Sequence, residues 1–513
     1  MTTMILRELG SGLILDKPSG VATHTPDGGH TLGFLEMASK ILDRPLWAVH
    51  RLDNGTSGCL LVTTSEKAVA EYSESLKSAK KKYIFISSRE SKDSLWSVEG
   101  RIEKTGNHKF ALVAGDSNSF TKFAKLGPCT LGFMYEAEIN SGRTHQIRIH
   151  AQNSGIPILG DSEHGGDPFV RLMLHSHEIE MENSKTISPL PILFETTVPL
   201  PTKDSHKFLS SFDRRRFVMT SEKGNTNAFR LVHREWTKNK TPRLAVEKLG
   251  SVLHLMDYSN QTIQKEFIEE MARATQCGHW FVRNMNDREK IFSSNDLPPQ
   301  WVIQESKVKF ELKSNQGLST GLFLDQRENR KRILENSQGK RVANFFSYTC
   351  GFSVVAALGG AHEVVSVDTS TQSLDWGKYN FTLNDLNPNQ FEFFVADTEF
   401  FLKSSLKRRR QFDTIILDPP TFSRHKHGVF SLKKNFPEVL ELAFESLAPK
   451  GTMLVTVNDE TLSEHDLSCM IENSVQKTIK KLVRIQVSRP PYDFEFPLER
   501  ESVMKGFWVS LEN

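Results

Sequence analysis

VANFFSYTCGFSVVAALGGAHEVVSVD, residues 342–368, reads as a strand, a loop, a helix and a second strand. Towards the C-terminus the rhythm continues: a long helical stretch SLDWGKYNFTLNDL, then FEFFVAD, TEFFLKSSLKRRR, FDTIILD, an Asp-Pro-Pro loop, and VLELAFESLA before TMLVTV. Strands that alternate with helices of this length imply right-handed crossovers and a parallel sheet covered on both faces. Ligands of such sheets bind beyond the carboxyl ends of the strands. The strand-end residues Asn344, Asp368, Asp397 and Asp418 are therefore candidate site residues.

The loop after the first strand holds only Gly351, and an acid, Asp368, ends the next strand. A dinucleotide fingerprint needs three spaced glycines so that the backbone can approach a pyrophosphate. That spacing is missing, which disfavours a nucleotide-dependent oxidoreductase. S-adenosylmethionine has no phosphates, yet it offers a carboxylate to a helix N-terminus and a ribose to an acid. Any one of these acids could instead cap a helix that follows its strand.

Residues 1 to about 210 look different, with short strand-like runs broken by Gly, Pro, Asn and Asp: GLILDKPSG, WAVHRLD, CLLVTT, KYIFIS, RTHQIRIH and PILFETTVPL. They predict a sheet-rich α+β domain over 1–210. Residues 211–224 are polar, without sustained period, and read as a linker. Residues 225–315, with LAVEKLGSVLHLMDY and the amphipathic TIQKEFIEEMARAT, read as a small α+β subdomain ahead of the α/β domain of 316–513.

The 513 residues suit two or three domains, and 38% apolar with 25% charged residues is an ordinary globular composition. Five scattered cysteines without a CxxC pair argue for a reducing compartment and against a zinc ribbon, and no metal centre is expected. No signal-like start and no membrane-length apolar run predict a cytoplasmic protein with no membrane partner. A net charge of +3 is too small to imply nucleic acid by itself, so an RNA footprint would come from local basic runs. The runs at 77–82, 213–216 and 407–410 are candidates, or equally solvated faces.

Within the first domain, HRLDNGTSG (50–58) puts Asp53 in a tight turn, where it could do no more than cap backbone amides. In SGRTHQIRIH (141–150), period-two alternation would place Thr144, Gln146, Arg148 and His150 on one strand face, with Arg148 suited to a carboxylate.

Together with DKPSG (16–20), the KKY of 81–83, ILGD (158–161) and RLMLHS (171–176), these motifs resemble the RluA family of pseudouridine synthases over the whole first domain. The resemblance implies a cofactor-free isomerase that breaks the glycosidic bond of a uridine in RNA and rejoins the base through carbon 5. It implies that Asp53 attacks the nucleotide, with Arg148 as its opposing charge. Tyr83 would stack on the uracil and remove the carbon 5 proton, and Arg51 would fill the gap left by the flipped base. His50 is expected to fix local backbone.

From about 225 onward the chain is similar to the RlmI and RlmKL group of ribosomal-RNA methyltransferases, through GLFLDQR (321–327), NFFSYTCGF, SVD, VAD, LDPPTF and MKGFW (504–508). This implies a Rossmann-like class I methyltransferase using S-adenosylmethionine. Asp368 would take the ribose, Asp397 the adenine edge, and Asn344, Tyr348 and Gly351 the methionine end. Asp325 and Arg327 would help close the pocket, and Asp418 with Pro419 and Pro420 would orient the acceptor base. Directly after TMLVTV, where cysteine-using relatives carry their nucleophile, the chain reads Asn458 and Asp459 rather than a cysteine, so a base nitrogen is the expected methyl acceptor, with guanine nitrogen 7 favoured. Cytosine carbon 5 is the alternative acceptor, and an RNA-binding or ribosome-assembly factor with an inactive centre is the alternative of another class. Large-subunit ribosomal RNA is the expected substrate, with transfer RNA second for the first domain.

Overall fold

The computed structural model describes residues 4–26, 33–106, 109–140, 142–181, 184–195, 208–215, 225–233, 244–258, 263–287, 291–316, 319–425, 428–494 and 503–512. They fall into two compact units, one drawn from 1–224, 235–240 and 260–278 and the other from 225–234, 241–259 and 279–513. Among the described residues, no helix is long and apolar enough to cross a membrane.

An eleven-stranded sheet dominates the first unit. At its centre Gly12–Lys17, Ser57–Thr63, Leu174–Met181, Lys80–Ser87 and Gly132–Ile139 lie side by side. All these neighbours are antiparallel except Ser57–Thr63 against Leu174–Met181, which run parallel. SGCLLVT is buried at every position, which fits a strand covered on both faces. Its register fixes where the preceding HRLDNG loop emerges.

Two strand expectations fail here. Gln146–Asn153 is an α-helix, entered through His145 in the left-handed conformation (φ 57°). Gln146 through Ala151 are all buried, so the polar and apolar alternation in HQIRIH does not mark two faces of a strand. Tertiary burial overrides the β-branched residues there. Ile192–Glu195, from the expected strand PILFETTVPL, is a short helix, and 196–200 lie outside the described residues. The expected linker also begins inside a helix of 208–215, whose Phe208, Leu209, Phe212 and Arg215 are buried, and its 216–224 portion lies outside the described residues.

The second unit opens with a five-stranded sheet over 228–293 and a hairpin, Gln300–Glu305 with Val308–Lys313. Its main sheet has seven strands, Arg341–Phe345, Glu363–Asp368, Glu392–Val395, Phe412–Leu417, Leu447–Asn458, Leu482–Ser488 and Met504–Leu511. Numbered in that order they lie 3-2-1-4-5-7-6, with strands one to five parallel and the seventh antiparallel to both its neighbours. Ala343, Phe345, Val365, Val367, Ile415 and Leu417 pack on one face, and Val342, Val364, Ile416, Leu454 and Trp508 on the other. Two apolar faces are what helix crossovers on both sides require.

Candidate active sites

In the first unit the turn that carries Asp53 is clasped by the DKPSG segment. Lys17, fully buried, donates its ammonium protons to the carbonyls of Pro18 and Thr56 at 2.9 and 2.8 Å, and Ser19 Oγ donates to Gly55 O at 2.7 Å. Thr23 Oγ1 donates to Leu52 O and accepts from Leu52 N–H. Gly55 has no room for a side chain, since a Cβ would meet Leu172 Cβ at 2.8 Å. Gly58, at φ +107°, lies against Ser176 O. His50 accepts the Leu61 N–H at 2.9 Å, and burial lowers its pKa to about 4, so it is a neutral backbone prop.

Asp53 thereby projects into an open cleft of about 1580 Å³ that Arg51, Tyr83, Phe110, Arg143, His145 and Arg148 also line. Arg148 Nη1 stands 3.4 Å from Asp53 Oδ2. The helix, rather than a strand, delivers it. Its Nε and Nη2 are held at 2.7 Å each by Asp161, and Nη2 is also 2.8 Å from Glu163. Burial alone would raise the Asp161 pKa, but the bonds from Arg148 outweigh it and hold the carboxyl below its ordinary range. The fork–fork pair aims the remaining guanidinium nitrogen at Asp53. Asp161 was visible only as the last letter of ILGD, with no spacing to say that it orients Arg148.

Tyr83 is buried, and burial pushes its phenol up to about 12 against a bond from Ser176. At neutral pH it is an uncharged ring, suited to stacking. Arg51 is exposed on the cleft. The basic runs mix structural with exposed charges, since Lys77, Lys80, Lys407, Arg408 and Arg409 are exposed. Lys81 is buried and donates to Leu76 O, Arg215 is buried, and Arg410 pairs with Glu363 and Glu392.

In the second unit a cavity of about 330 Å³ lies at the carboxyl ends of the parallel strands. Asp325, Asn344, Tyr348, Gly351, Asp368, Asp397 and Asp418 all line it. After the first strand the backbone takes positive φ at Phe346, Tyr348 and Cys350, a tight cradle that delivers Gly351 to the start of the helix Gly351–Leu358. Asp368 braces this loop by accepting Tyr348 N–H at 2.8 Å and Ser370 N–H at 2.9 Å, and burial raises its pKa. Asp397 caps the helix Thr398–Lys407 by accepting Phe400 N–H, so it is both a cap and a cavity residue.

Asp418 accepts from Thr456 Oγ1 at 2.7 Å, and burial raises its pKa. Burial, then the Asp418 charge, raises Asp325 to about 6, and its buried Oδ1 has no hydrogen-bond partner among the described residues. Arg327 does not join them. It is buried, pairs with Asp493, and donates to Ala228 O at 3.1 Å. Arg330, one helical turn on, lines the cavity instead, clamped by Glu305 at 2.6 and 2.8 Å. GLFLDQR alone does not say which arginine faces the ligand.

A cavity ringed by carboxylates, one of them orphaned, would repel a pyrophosphate and suits a ligand with cationic, amino and hydroxyl groups. S-adenosylmethionine is such a ligand. The strand order 3-2-1-4-5-7-6 with its site at the strand ends defines a class I methyltransferase architecture, and the other unit is an α+β domain with a carboxylate–arginine cleft.

Comparison with known proteins places both. Residues 262–496 match the model of the S-adenosylmethionine-dependent methyltransferase family, and residues 12–153 that of RNA pseudouridylate synthase. Each match covers one part of the chain, so a region similar to one family precedes a region similar to the other. Ribosomal RNA large subunit methyltransferase K/L of Psychrobacter arcticus is 33% identical over 311 residues, covering 55% of this chain and 39% of that protein. Ribosomal RNA large subunit methyltransferase I of Aeromonas salmonicida is 39% identical over 153 residues, 30% of this chain and 39% of that protein. The chain therefore spans about two-fifths of the length of these curated relatives. In fold, it is similar to the crystal structure of SMU.776 complexed with SAH, at TM-score 0.53 and 23% identity, over 69% of this chain and 89% of that one.

Proposed function

We propose that this chain is a bifunctional RNA-modifying enzyme, converting uridine to pseudouridine in its first domain and methylating a base in its second, with large-subunit ribosomal RNA as substrate. The observation that carries the reading is the pairing of two complete centres in one chain: Asp53 beside an Arg148 locked by Asp161, and four carboxylates around the strand-end cavity.

In the first centre Asp53 attacks the flipped nucleotide and the glycosidic bond breaks. The uracil turns against the Tyr83 ring, carbon 5 joins the ribose as the bond to Asp53 breaks, and the proton lost from carbon 5 is balanced by one taken up at the freed N1. Arg148 aims Asp53 from 3.4 Å, and exposed Arg51 takes the place of the flipped base in the stack. A buried phenol at about 12 favours stacking as the first task of Tyr83, with proton removal requiring its ionisation.

In the second centre S-adenosylmethionine supplies an electrophilic methyl group. Asp368 and the Phe346–Cys350 loop hold its ribose and methionine ends, and Asp397 the adenine edge. Asp325, whose buried Oδ1 has no hydrogen-bond partner among the described residues, meets its positive charge. Asp418 and the rigid Pro419–Pro420 turn orient the acceptor base, so that proximity provides most of the rate.

The acceptor is a base nitrogen, with guanine nitrogen 7 favoured. Two facts about sulfur support this. Cys350 is fully buried in the loop with its thiol pushed by burial to about 12, and no cysteine is among the residues lining the cavity. Methylation at cytosine carbon 5 would need a thiolate there. The test incubates the purified chain with ribosomal RNA carrying tritium at uridine carbon 5 and with carbon-14-labelled S-adenosylmethionine. Tritium release and radiocarbon transfer are both expected, and absence of either removes that activity.

A further inference from the structure

Beside the first centre stands a group of side chains that isomerisation does not use. His145, at the helix entrance, and His164 face each other with Nδ1 and Nε2 3.0 Å apart, their rings at 86°. Glu163 Oε2 lies 3.6 Å from His145 Nδ1. Two imidazoles and a carboxylate, all within reach of one point, form a ligand set for a divalent transition metal, with one coordination position left open. Ligand atoms on neighbouring corners of a zinc tetrahedron sit roughly 3.3 Å apart when metal–ligand distances are about 2.0–2.1 Å. The separations of 3.0 and 3.6 Å from His145 bracket that edge, and His164 and Glu163 lie within 4.8 Å of each other.

The surroundings suit a metal as well. A ligating histidine holds its ring by donating its other N–H to a carboxylate. His145 Nε2 faces Asp53 Oδ2 at 3.9 Å, too far for a hydrogen bond but close enough for the carboxylate charge to favour a proton on Nε2, which leaves the Nδ1 lone pair for His164 or for a metal. His164 is buried, while Glu163 is 62% exposed and gives the ion an approach from solvent. Arg148 also contacts Glu163, but its two bonds to Asp161 satisfy it without that contact.

We infer that His145 Nδ1, His164 Nε2 and the Glu163 carboxylate bind a divalent transition metal of the zinc class, and that the loaded site silences the first centre. The metal replaces the hydrogen bond between the rings, and the proton that His164 held on Nε2 moves to its Nδ1. Asp53 then becomes the outer partner of a metal-bound histidine, its carboxylate drawn to Nε2–H and to the dication, and no longer free to attack. Glu163 leaves Arg148 at the same time. The metal is an inhibitor, with no step of the isomerisation assigned to it.

The binding half stands on geometry alone, and the silencing half rests on the proposed role of Asp53. Calorimetry of the full chain with zinc ion alone tests the first, beside His164→Ala and Glu163→Gln. Cobalt(II) absorption reports the coordination geometry. A zinc isotherm lost in His164→Ala and weakened in Glu163→Gln, with visible cobalt bands that vanish in the same variants, is expected. An isotherm unchanged by His164→Ala, or no isotherm in the wild type, overturns the site.

Tritium release with and without zinc tests the second half. Loss of activity in the wild type at zinc levels that fill the site, and a ratio near one in His164→Ala, are expected. Binding without inhibition would refute the silencing while leaving the site. A chain with no tritium release even in chelator would instead refute the isomerase reading.

Discussion

Replacing Asp161 by Asn removes one charge from a pair in which Asp161 is 0% and Arg148 9% exposed. Breaking a buried pair from one side typically removes about 3–5 kcal/mol, because the remaining charge is stranded. Glu163 at 2.8 Å and Asp53 at 3.4 Å give Arg148 partial compensation, so the low end, about 3 kcal/mol, is expected. The loss falls on the helix Gln146–Asn153, which carries Arg148. In hydrogen-exchange mass spectrometry, its amides should exchange roughly 150-fold faster, while Gly351–Leu358 in the other unit is unchanged.

Function should fall too, since an unclamped Arg148 settles on Asp53 and blunts the nucleophile. A penalty of only 1.4 kcal/mol at the reacting carboxylate is about tenfold in rate. The sign with pH follows from the lowered pKa of Asp161. Its contribution is fully present above its unfolded value of 3.8 and is lost as pH falls through the lower folded value, a dependence the Asn variant lacks. Unchanged protection together with unchanged tritium release would refute the claim that Asp161 orients Arg148.

Asp53→Asn should abolish pseudouridine formation while calorimetry shows S-adenosylmethionine binding intact. Asp368→Ala, which also unbraces the Tyr348 and Ser370 amides, should weaken that binding by about 1–3 kcal/mol with pseudouridine formation preserved. Asp325 is raised to about 6, so its ionised form opposes folding, and the second domain gains stability as pH falls from above 6 towards 4. Asp325→Asn should therefore raise the cofactor-free melting temperature at pH 7.5, by the equivalent of about 1–3 kcal/mol, and flatten that pH dependence. Cys350→Ala should retain methyl transfer, measured with labelled cofactor, because the thiol is packed away from the cavity.

The α/β half was legible because helix-length segments separate the apolar runs from VANF to TMLVTV, and the central runs are apolar on both faces, as VANF and TIIL show. The first domain was less legible. HQIRIH alternates like a strand but is buried all round as a helix, so the alternation that singled out Arg148 for a carboxylate did so on a wrong element, and the family motif supplied its pairing with Asp53. Charge runs did not say which of their members are spent, since Lys81 donates to Leu76 O and Asn140 O and Arg410 pairs with Glu363 and Glu392, while Lys407, Arg408 and Arg409 stay exposed. Asp161, Arg330 and the His145–His164 pair depend on contacts across loops, which spacing along one chain does not encode.

Nucleoside mass spectrometry of large-subunit ribosomal RNA treated with the wild type, Asp53→Asn and Asp368→Ala tests the central claim most directly. Pseudouridine and 7-methylguanosine should both rise with the wild type. Pseudouridine alone should vanish with Asp53→Asn, and the methylated base alone should fall with Asp368→Ala. RNA left unmodified by the wild type, or 5-methylcytidine formed through a covalent adduct to Cys350 or Cys469, would contradict it.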